Sequence, residues 1–157
     1  MKSMIAILVI LFTFSCCTAS CSKDDQTSPP QDSSSGNNNL STTKMKIAIG
    51  TAIFTATLYD NLSATAFRAM FPLTINMTEL NNNEKYYDLP TNLPTNASVG
   101  GNINVGDLML YGKNTLVLFY ESFNSSYSYT KFGYVNNPTG LAAALGNGNV
   151  VVKFENN

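Results

Sequence analysis

The side chains that carry most enzyme chemistry are scarce in this chain. It has no histidine and no tryptophan, and its single arginine is Arg68. A Ser–His or Cys–His nucleophile pair is therefore excluded, because both need an imidazole as general base. All three cysteines fall within the first 21 residues, so a transition-metal site in the rest of the chain would lack thiolate as well as imidazole. The sequence predicts no metal and no cofactor.

Three aspartates remain as candidates for an acid–base site. Asp60 follows one predicted strand and Asp107 begins another, while Asp88 lies near the end of a third. Aspartate is common where strands give way to turns, because its side chain accepts hydrogen bonds from nearby backbone N–H groups. We therefore predict turn roles for these residues and no catalytic residue.

Tyrosines are the more promising side chains, because they suit binding. A tyrosine combines apolar area with a polar tip, which favours recognition of peptides and glycans. The alternative is that they only cover the wall of a sheet. Six of them flank predicted loops: Tyr86, Tyr87, Tyr111, Tyr120, Tyr127 and Tyr129.

The elements that must position these side chains begin in residues 45–77. Apolar residues alternate with polar ones in three short runs, which is the period of a half-buried strand. Between the second and third runs, Phe67, Met70 and Phe71 have helical spacing, with Ser63 as the expected N-cap and Pro72 as the stop. The runs are Met45, Ile47 and Ile49; Phe54, Ala56 and Leu58; and Leu73, Ile75 and Met77.

The remaining elements are shorter strands and one more helix. Residues 90–105 and 122–130 read as loops, and the first is long enough to suggest a functional or lid-like segment. A second helix is predicted at 139–145 and the first at 62–71. The fold class is mostly β: about eight strands close into a small barrel capped by two short helices. The expected core contains Ile47, Ile49, Phe54, Leu58, Phe67, Met70, Leu73, Ile75, Leu116, Leu118, Val150 and Val152.

The first 20 residues have the pattern of an export signal. Their apolar run is too short to span a bilayer of about 30 Å as a helix, and it ends in small residues before Cys21. This resembles a bacterial lipobox, with Cys21 as the lipidated residue and Cys16 and Cys17 as competing candidates. The following Ser-Lys-Asp-Asp resembles a signal for the surface of the Gram-negative outer membrane. The alternatives are the periplasmic face and an ordinary secreted protein.

Three segments follow from this reading: a signal peptide at 1–20, a lipidated cysteine with a disordered tether at 21–43, and a folded domain at 44–157. The tether is rich in Ser, Asn, Pro and Gln and cannot bury a core. The domain carries seven basic and seven acidic residues without a basic stripe, so nucleic acid is not an expected partner. We expect a monomeric head that contacts the membrane only through its lipid.

Several short motifs of the domain, taken in their order along the chain, resemble those of a known family. Residues 63–70 are similar to the T-A-x-N-F-R-x-L pattern of the first cyclophilin helix, and Phe132-Gly133-Tyr134-Val135 resembles a later F-G-x-V motif. Residues 58–67, Phe71-Pro72 and residues 106–111 resemble small bacterial cyclophilin-like proteins of uncharacterised function. The resemblance covers residues 45–155 and implies a cyclophilin-like barrel.

This resemblance also implies a possible activity, peptidyl-prolyl isomerisation, and a place for a groove. Cyclophilins use an arginine on the strand after the first helix, but residues 73–89 contain none, and Arg68 matches a structural helix position. We therefore expect a non-catalytic module that binds a peptide, glycan or protein. The alternatives are an isomerase with an altered site and a spacer without a ligand. The candidate groove residues are Tyr86, Tyr87, Met109, Tyr111 and Phe119.

Overall fold

A computed structural model describes residues 43–157, so the predicted signal peptide, the predicted lipid site at Cys21 and nearly all of the tether lie outside the described residues. Nine strands and two helices follow one another in this region. They are β1 (Thr43–Ile49), β2 (Ala52–Leu58), α1 (Leu62–Arg68), β3 (Leu73–Leu80), β4 (Glu84–Asp88), β5 (Ser98–Ile103), β6 (Asp107–Tyr111), β7 (Thr115–Phe119), β8 (Phe123–Val135), α2 (Leu141–Leu145) and β9 (Val150–Asn156). Within these residues, neither helix has the length and apolar character needed to cross a membrane.

Eight of the strands form a closed antiparallel barrel, as the sequence predicts. Their order is β2-β1-β9-β3-β4-β7-β6-β8, and β8 pairs with β2 to complete the ring. The ninth strand, β5, pairs with the first part of β8 outside the ring. The ring closes without any residue from outside 43–157, so we expect this part of the chain to fold independently of the tether.

The barrel interior holds one apolar core. Alternate residues of each strand point inward and contribute to it. Phe67 of α1 is its central aromatic residue: it stacks on Phe132 at 5.1 Å between ring centroids and meets Phe154 edge-on at 5.3 Å. Eight of the twelve predicted core residues are buried. The other four are half-buried and pack against the core: Phe54, Met70, Leu73 and Val150.

Helix α1 begins at Leu62 as predicted, but its N-cap residue and its C-terminal end differ from the prediction. Its N-cap is Asn61, whose Oδ1 accepts from the backbone N–H of Ala64 at 2.8 Å. Ser63, the predicted cap, lies inside the helix and donates to the carbonyl of Pro94. The helix ends at Arg68 rather than at residue 71, and Phe71 still packs on Phe67 from the following turn at 5.0 Å. Helix α2 is likewise shorter than its predicted range of 139–145.

Two segments predicted as loops contain strand. Residues 98–103 form β5, and residues 122–130 fall almost entirely in the 13-residue strand β8. Both segments are rich in Gly, Ser and Asn, which have low intrinsic strand propensity. They become strands because each supplies the hydrogen-bonding partner of the other, which local sequence patterns do not reveal.

Candidate functional site

A groove lies on strands β4, β6, β7 and β8, on the face opposite to the barrel core. It has a volume of about 440 Å³, within the range of small-ligand sites. Its lining combines aromatic residues, amides and carboxylates: Leu80, Asn81, Asn83, Glu84, Tyr86, Asp88, Tyr111, Thr115, Val117, Phe123, Tyr127 and Tyr129.

Strand register aligns the floor of this groove. Met109 pairs with Val117, which pairs in turn with Tyr86. Successive side chains of a strand point to opposite faces of the sheet, so this row lies outside the barrel while its sequence neighbours point into the core. A second apolar cluster forms there, separate from the barrel core: Ile103, Met109, Val117, Phe119 and Tyr129, with Tyr86 and Phe123 against it.

The first part of β8 brings more aromatic rings to the groove. Tyr111 meets Tyr127 edge-on at 6.0 Å and Tyr129 at 5.7 Å between ring centroids. Tyr129 in turn meets Phe119 at 5.6 Å, and Phe119 meets Phe123 at 5.7 Å. These five rings form a continuous series, in which Tyr111 and Tyr127 remain largely exposed. The groove therefore offers both ring faces and phenol groups to a ligand.

The charges that line the groove are all negative. Glu84 and Asp88 line it, and no lysine or arginine does. Asp88 is exposed and accepts from the Thr115 hydroxyl at 2.7 Å. Glu84 is only 9% exposed, and burial, together with the nearby charge of Glu79, raises the pKa of its carboxyl. Burial is also the main reason that the pKa of Tyr129 is raised.

The predicted groove residues do not all lie in the groove. Tyr86 and Tyr111 line it. Met109 and Phe119 are fully buried in the second apolar cluster beneath it. Tyr87 does not line this groove: it packs against the barrel core, because it follows Tyr86 directly in β4 and so points the other way.

Sequence reasoning missed Glu84 and the contribution of β8. Strand alternation contains a usable signal for the first, because Glu84 and Asp88 lie two positions either side of Tyr86 and share its face. Tyr127 and Tyr129 are among the six tyrosines that the sequence marks as suited to binding, but their segment does not read as a strand. The sequence therefore does not place them, or Phe123, in this groove.

A second set of polar side chains lies at Lys85, on the barrel-core face of β4. Lys85 is 0% exposed; its Nζ donates to the Glu79 carboxylate and, at 2.7 Å each, to the carbonyls of Gly146 and Gly148. The Tyr120 hydroxyl donates to Glu79 at 2.8 Å. Burial alone would raise the pKa of Glu79, but the hydrogen bonds from Lys85 and Tyr120 outweigh it and the pKa is lowered. Burial and Glu79 raise the pKa of Tyr120 to about 12.

Lys85 is thus fully engaged in holding the chain between α2 and β9 against the barrel. Arg68 is exposed on α1, where its Nε donates to the Asn156 side chain at 3.0 Å. Neither cation lines the groove. Of the aspartates, Asp107 accepts from the backbone of Asn104 at 2.9 Å, as expected of a turn residue. Within residues 43–157, no three acidic, histidine or cysteine side chains converge as a metal site would require.

Comparison with known proteins agrees with this architecture. A family model described as the cyclophilin-like family matches residues 47–155. The solution structure of the hypothetical protein AF2241 from Archaeoglobus fulgidus is similar to this chain with a TM-score of 0.52, at 14% sequence identity, over 77% of this chain and 99% of that one. At that identity the likeness concerns the fold alone. No curated protein sequence matches the chain.

Proposed function

The chain belongs to the cyclophilin-like family, and we propose that its barrel binds a peptide, glycan or protein ligand without catalysing a reaction. The observation that carries this proposal is the aromatic groove of about 440 Å³ on β4, β6, β7 and β8. Exposed tyrosines such as Tyr111 and Tyr127, which are 46% and 64% exposed, supply apolar contact area with a hydroxyl at the tip. A barrel that acted only as a spacer would have no need for such a surface.

The proposal is tested by exposing the chain from Ser22 to Asn157 to a combined peptide and glycan array. This segment contains the complete ring of strands and the tether. We expect selective binding that is lost in Tyr111→Ala and kept in Tyr59→Ala, since Tyr59 is also an exposed tyrosine but lines only the smaller second cavity. If the chain binds nothing on the array, or if Tyr111→Ala binds as the parent does, the results would favour a spacer without a ligand.

We expect the domain to lack prolyl isomerase activity. Isomerisation must overcome a barrier of about 18–20 kcal/mol for an ordinary amide and somewhat less for an X–Pro bond. Cyclophilin-type catalysis lowers it with a guanidinium aimed at the prolyl nitrogen. Here Arg68 is engaged with Asn156 away from the groove, and Lys85 is enclosed in the barrel. A lysine also lacks the planar fork of donors.

A protease-coupled cis–trans assay on a short X–Pro peptide checks this expectation. The rate with the chain from Ser22 to Asn157 should equal the spontaneous rate, and an active cyclophilin in the same assay serves as the positive control. Acceleration that disappears in Tyr111→Ala would establish the altered-site isomerase in place of the binding module.

We also propose that the domain is displayed on the outer membrane through a lipid on Cys21. Support comes from the small residues before Cys21 and the Ser-Lys-Asp-Asp that follows it. In cells, Cys21→Ala should move the protein out of the membrane fraction, whereas Cys16→Ala and Cys17→Ala should leave it there. Retention of the Cys21 variant in membranes would assign the lipid elsewhere. Protease treatment of whole cells should digest the domain; protection would place it in the periplasm.

A further inference from the structure

Glu84 is an unusual carboxylate for a groove wall. It is 9% exposed, and among residues 43–157 its side chain has no hydrogen bond and no ion pair. Burying an uncompensated carboxylate is costly, and such groups are normally paired when they are enclosed. The adjacent lining residue, Asn83, has a side-chain oxygen that is buried without a hydrogen-bond partner among the described residues. The Asn83 oxygen is therefore buried without a donor, and the Glu84 carboxylate, which keeps some contact with solvent, has no protein donor among residues 43–157.

The aromatic lining has the electronic character that complements a cation. Ring faces carry negative electrostatic potential and attract ammonium and guanidinium groups within about 6 Å of the ring centroid. Tyr86, Tyr111, Tyr127 and Tyr129 all line the groove together with Glu84. Glu84 pairs with Phe119 of β7, whose ring meets Tyr129 at 5.6 Å between centroids. Glu84 also shares its face of β4 with Tyr86, two positions along the strand, so the carboxylate lies on the same side of the sheet as these rings. The protein itself supplies no cation among the lining residues.

A divalent metal ion does not fit this arrangement. Calcium takes about six to eight oxygen ligands, usually with several carboxylates. The only other carboxylate in the groove lining, Asp88, is exposed and already accepts from Thr115. A monovalent organic cation needs just one carboxylate, additional acceptors and an apolar wall for its stem, which is what the groove provides.

We infer that the ligand presents a protonated alkylamine, as on a lysine side chain, which pairs with Glu84 while its methylene stem packs on Tyr86, Tyr111 and Tyr129. The inference rests on the proposed binding function and specifies its ligand chemistry. The three donors of an ammonium group can engage more than one oxygen, so the unpartnered Asn83 oxygen offers a second acceptor to the inferred ligand. The same chemistry is available from a lysine in a peptide or from a free amine.

Nuclear magnetic resonance titration of the chain from Ser22 to Asn157 tests this inference. The probes are the peptide acetyl-Gly-Ser-Lys-Ser-Gly-amide, its twin with Nε-acetyl-lysine, and n-butylammonium. The lysine peptide should shift the amide resonances of groove residues and bind about tenfold more tightly than the acetylated twin, since that ratio corresponds to one charged contact of ordinary strength. Equal shifts with n-butylammonium would assign a free amine; shifts with the peptide alone would assign a lysine in a peptide.

Glu84→Gln keeps the shape of the side chain and removes its charge. It should weaken lysine-peptide binding about tenfold and leave the acetylated twin unaffected, with the resonances outside the groove unchanged as evidence of folding. Asp60→Asn is the matched control, because Asp60 lines the separate second cavity; this variant should bind as the parent does. Equal binding of the two peptides, or indifference to Glu84→Gln, would overturn the inference and leave the proposed groove binding intact. If the chain also binds nothing on the peptide and glycan array, both the inference and the proposed binding function are wrong.

Discussion

Gly133→Ala should prevent the barrel from closing. A Cβ at this position would lie 2.1 Å from the backbone oxygen of Thr57 and 3.0 Å from the Cα of Leu58. Gly133 pairs with Leu58 on β2 and with Leu108 on β6, so it sits at the seam where β8 completes the ring. Overpacking an interior site costs about 1–3 kcal/mol when side chains can adjust. Here the obstacle is backbone in a ladder, so we expect a loss of at least about 3 kcal/mol.

Urea denaturation followed by circular dichroism measures this loss. Gly148→Ala is the matched control: Gly148 has open space around its Cα and no positive φ angle, and its carbonyl remains available to Lys85. The control should unfold at nearly the parent midpoint. If Gly133→Ala also unfolds cooperatively near that midpoint, the close approach of β8 to β2 is wrong.

Lys85→Met should be the second most damaging single change among those considered. Methionine fills much of the volume of the lysine stem, but the Glu79 carboxylate and the carbonyls of Gly146 and Gly148 lose their shared donor. Removing one partner of a buried ion pair costs about 3–5 kcal/mol. We expect about 3 kcal/mol, the lower end of that range, because the Glu79 side chain is 16% exposed and can recover some water.

The pH dependence of this variant separates lost charge pairing from lost packing. The pKa of Glu79 in the native parent lies below its ordinary value of 4.5, so ionised Glu79 stabilises the fold above that pH. This contribution disappears as the pH falls through the lowered pKa. The deficit of Lys85→Met should therefore be largest near neutral pH and should shrink in acid. A deficit that stays constant with pH would assign the effect to packing.

An exposed ion pair provides the control for this experiment. Lys153 pairs with Glu155 at 2.8 Å, with the lysine 46% exposed. Surface pairs contribute little, because water screens them and ordering two long side chains has an entropic cost. Lys153→Met should leave the urea midpoint nearly unchanged, so a comparable loss in both variants would show that the buried position of Lys85 has no special importance.

The two opposite faces of β4 show how far sequence reasoning reaches. Alternation predicts that Tyr86 and Tyr87 point to different sides, yet it does not say which side is the core. Barrel closure decides this, because it places Lys85 and Tyr87 inside and Glu84 and Tyr86 outside. A lysine at a core position contradicts hydrophobic patterning, and only the three oxygen acceptors that surround Nζ explain it.

The order and composition of the amino acids account for the class of fold and for the classes of chemistry available to the chain. Period-2 alternation in residues 45–58 and 73–77 depends only on neighbours along the chain. The same is true of the short apolar stripe of Phe67, Met70 and Phe71 that ends before Pro72. The lack of histidine and tryptophan is likewise a property of composition, and it excludes imidazole chemistry wherever the residues lie.

The residues that form the groove come together through strand pairing between distant parts of the chain. Glu84 and Tyr129 are 45 positions apart along the chain, and they line one groove because β8 pairs with β6, which pairs with β7 and then β4. The segments that form β5 and the start of β8 are too rich in Gly, Ser and Asn to be predicted as strands from their sequence. Their hydrogen bonds form with each other across the β6–β7 hairpin, so the physical determinant is non-local pairing rather than local propensity.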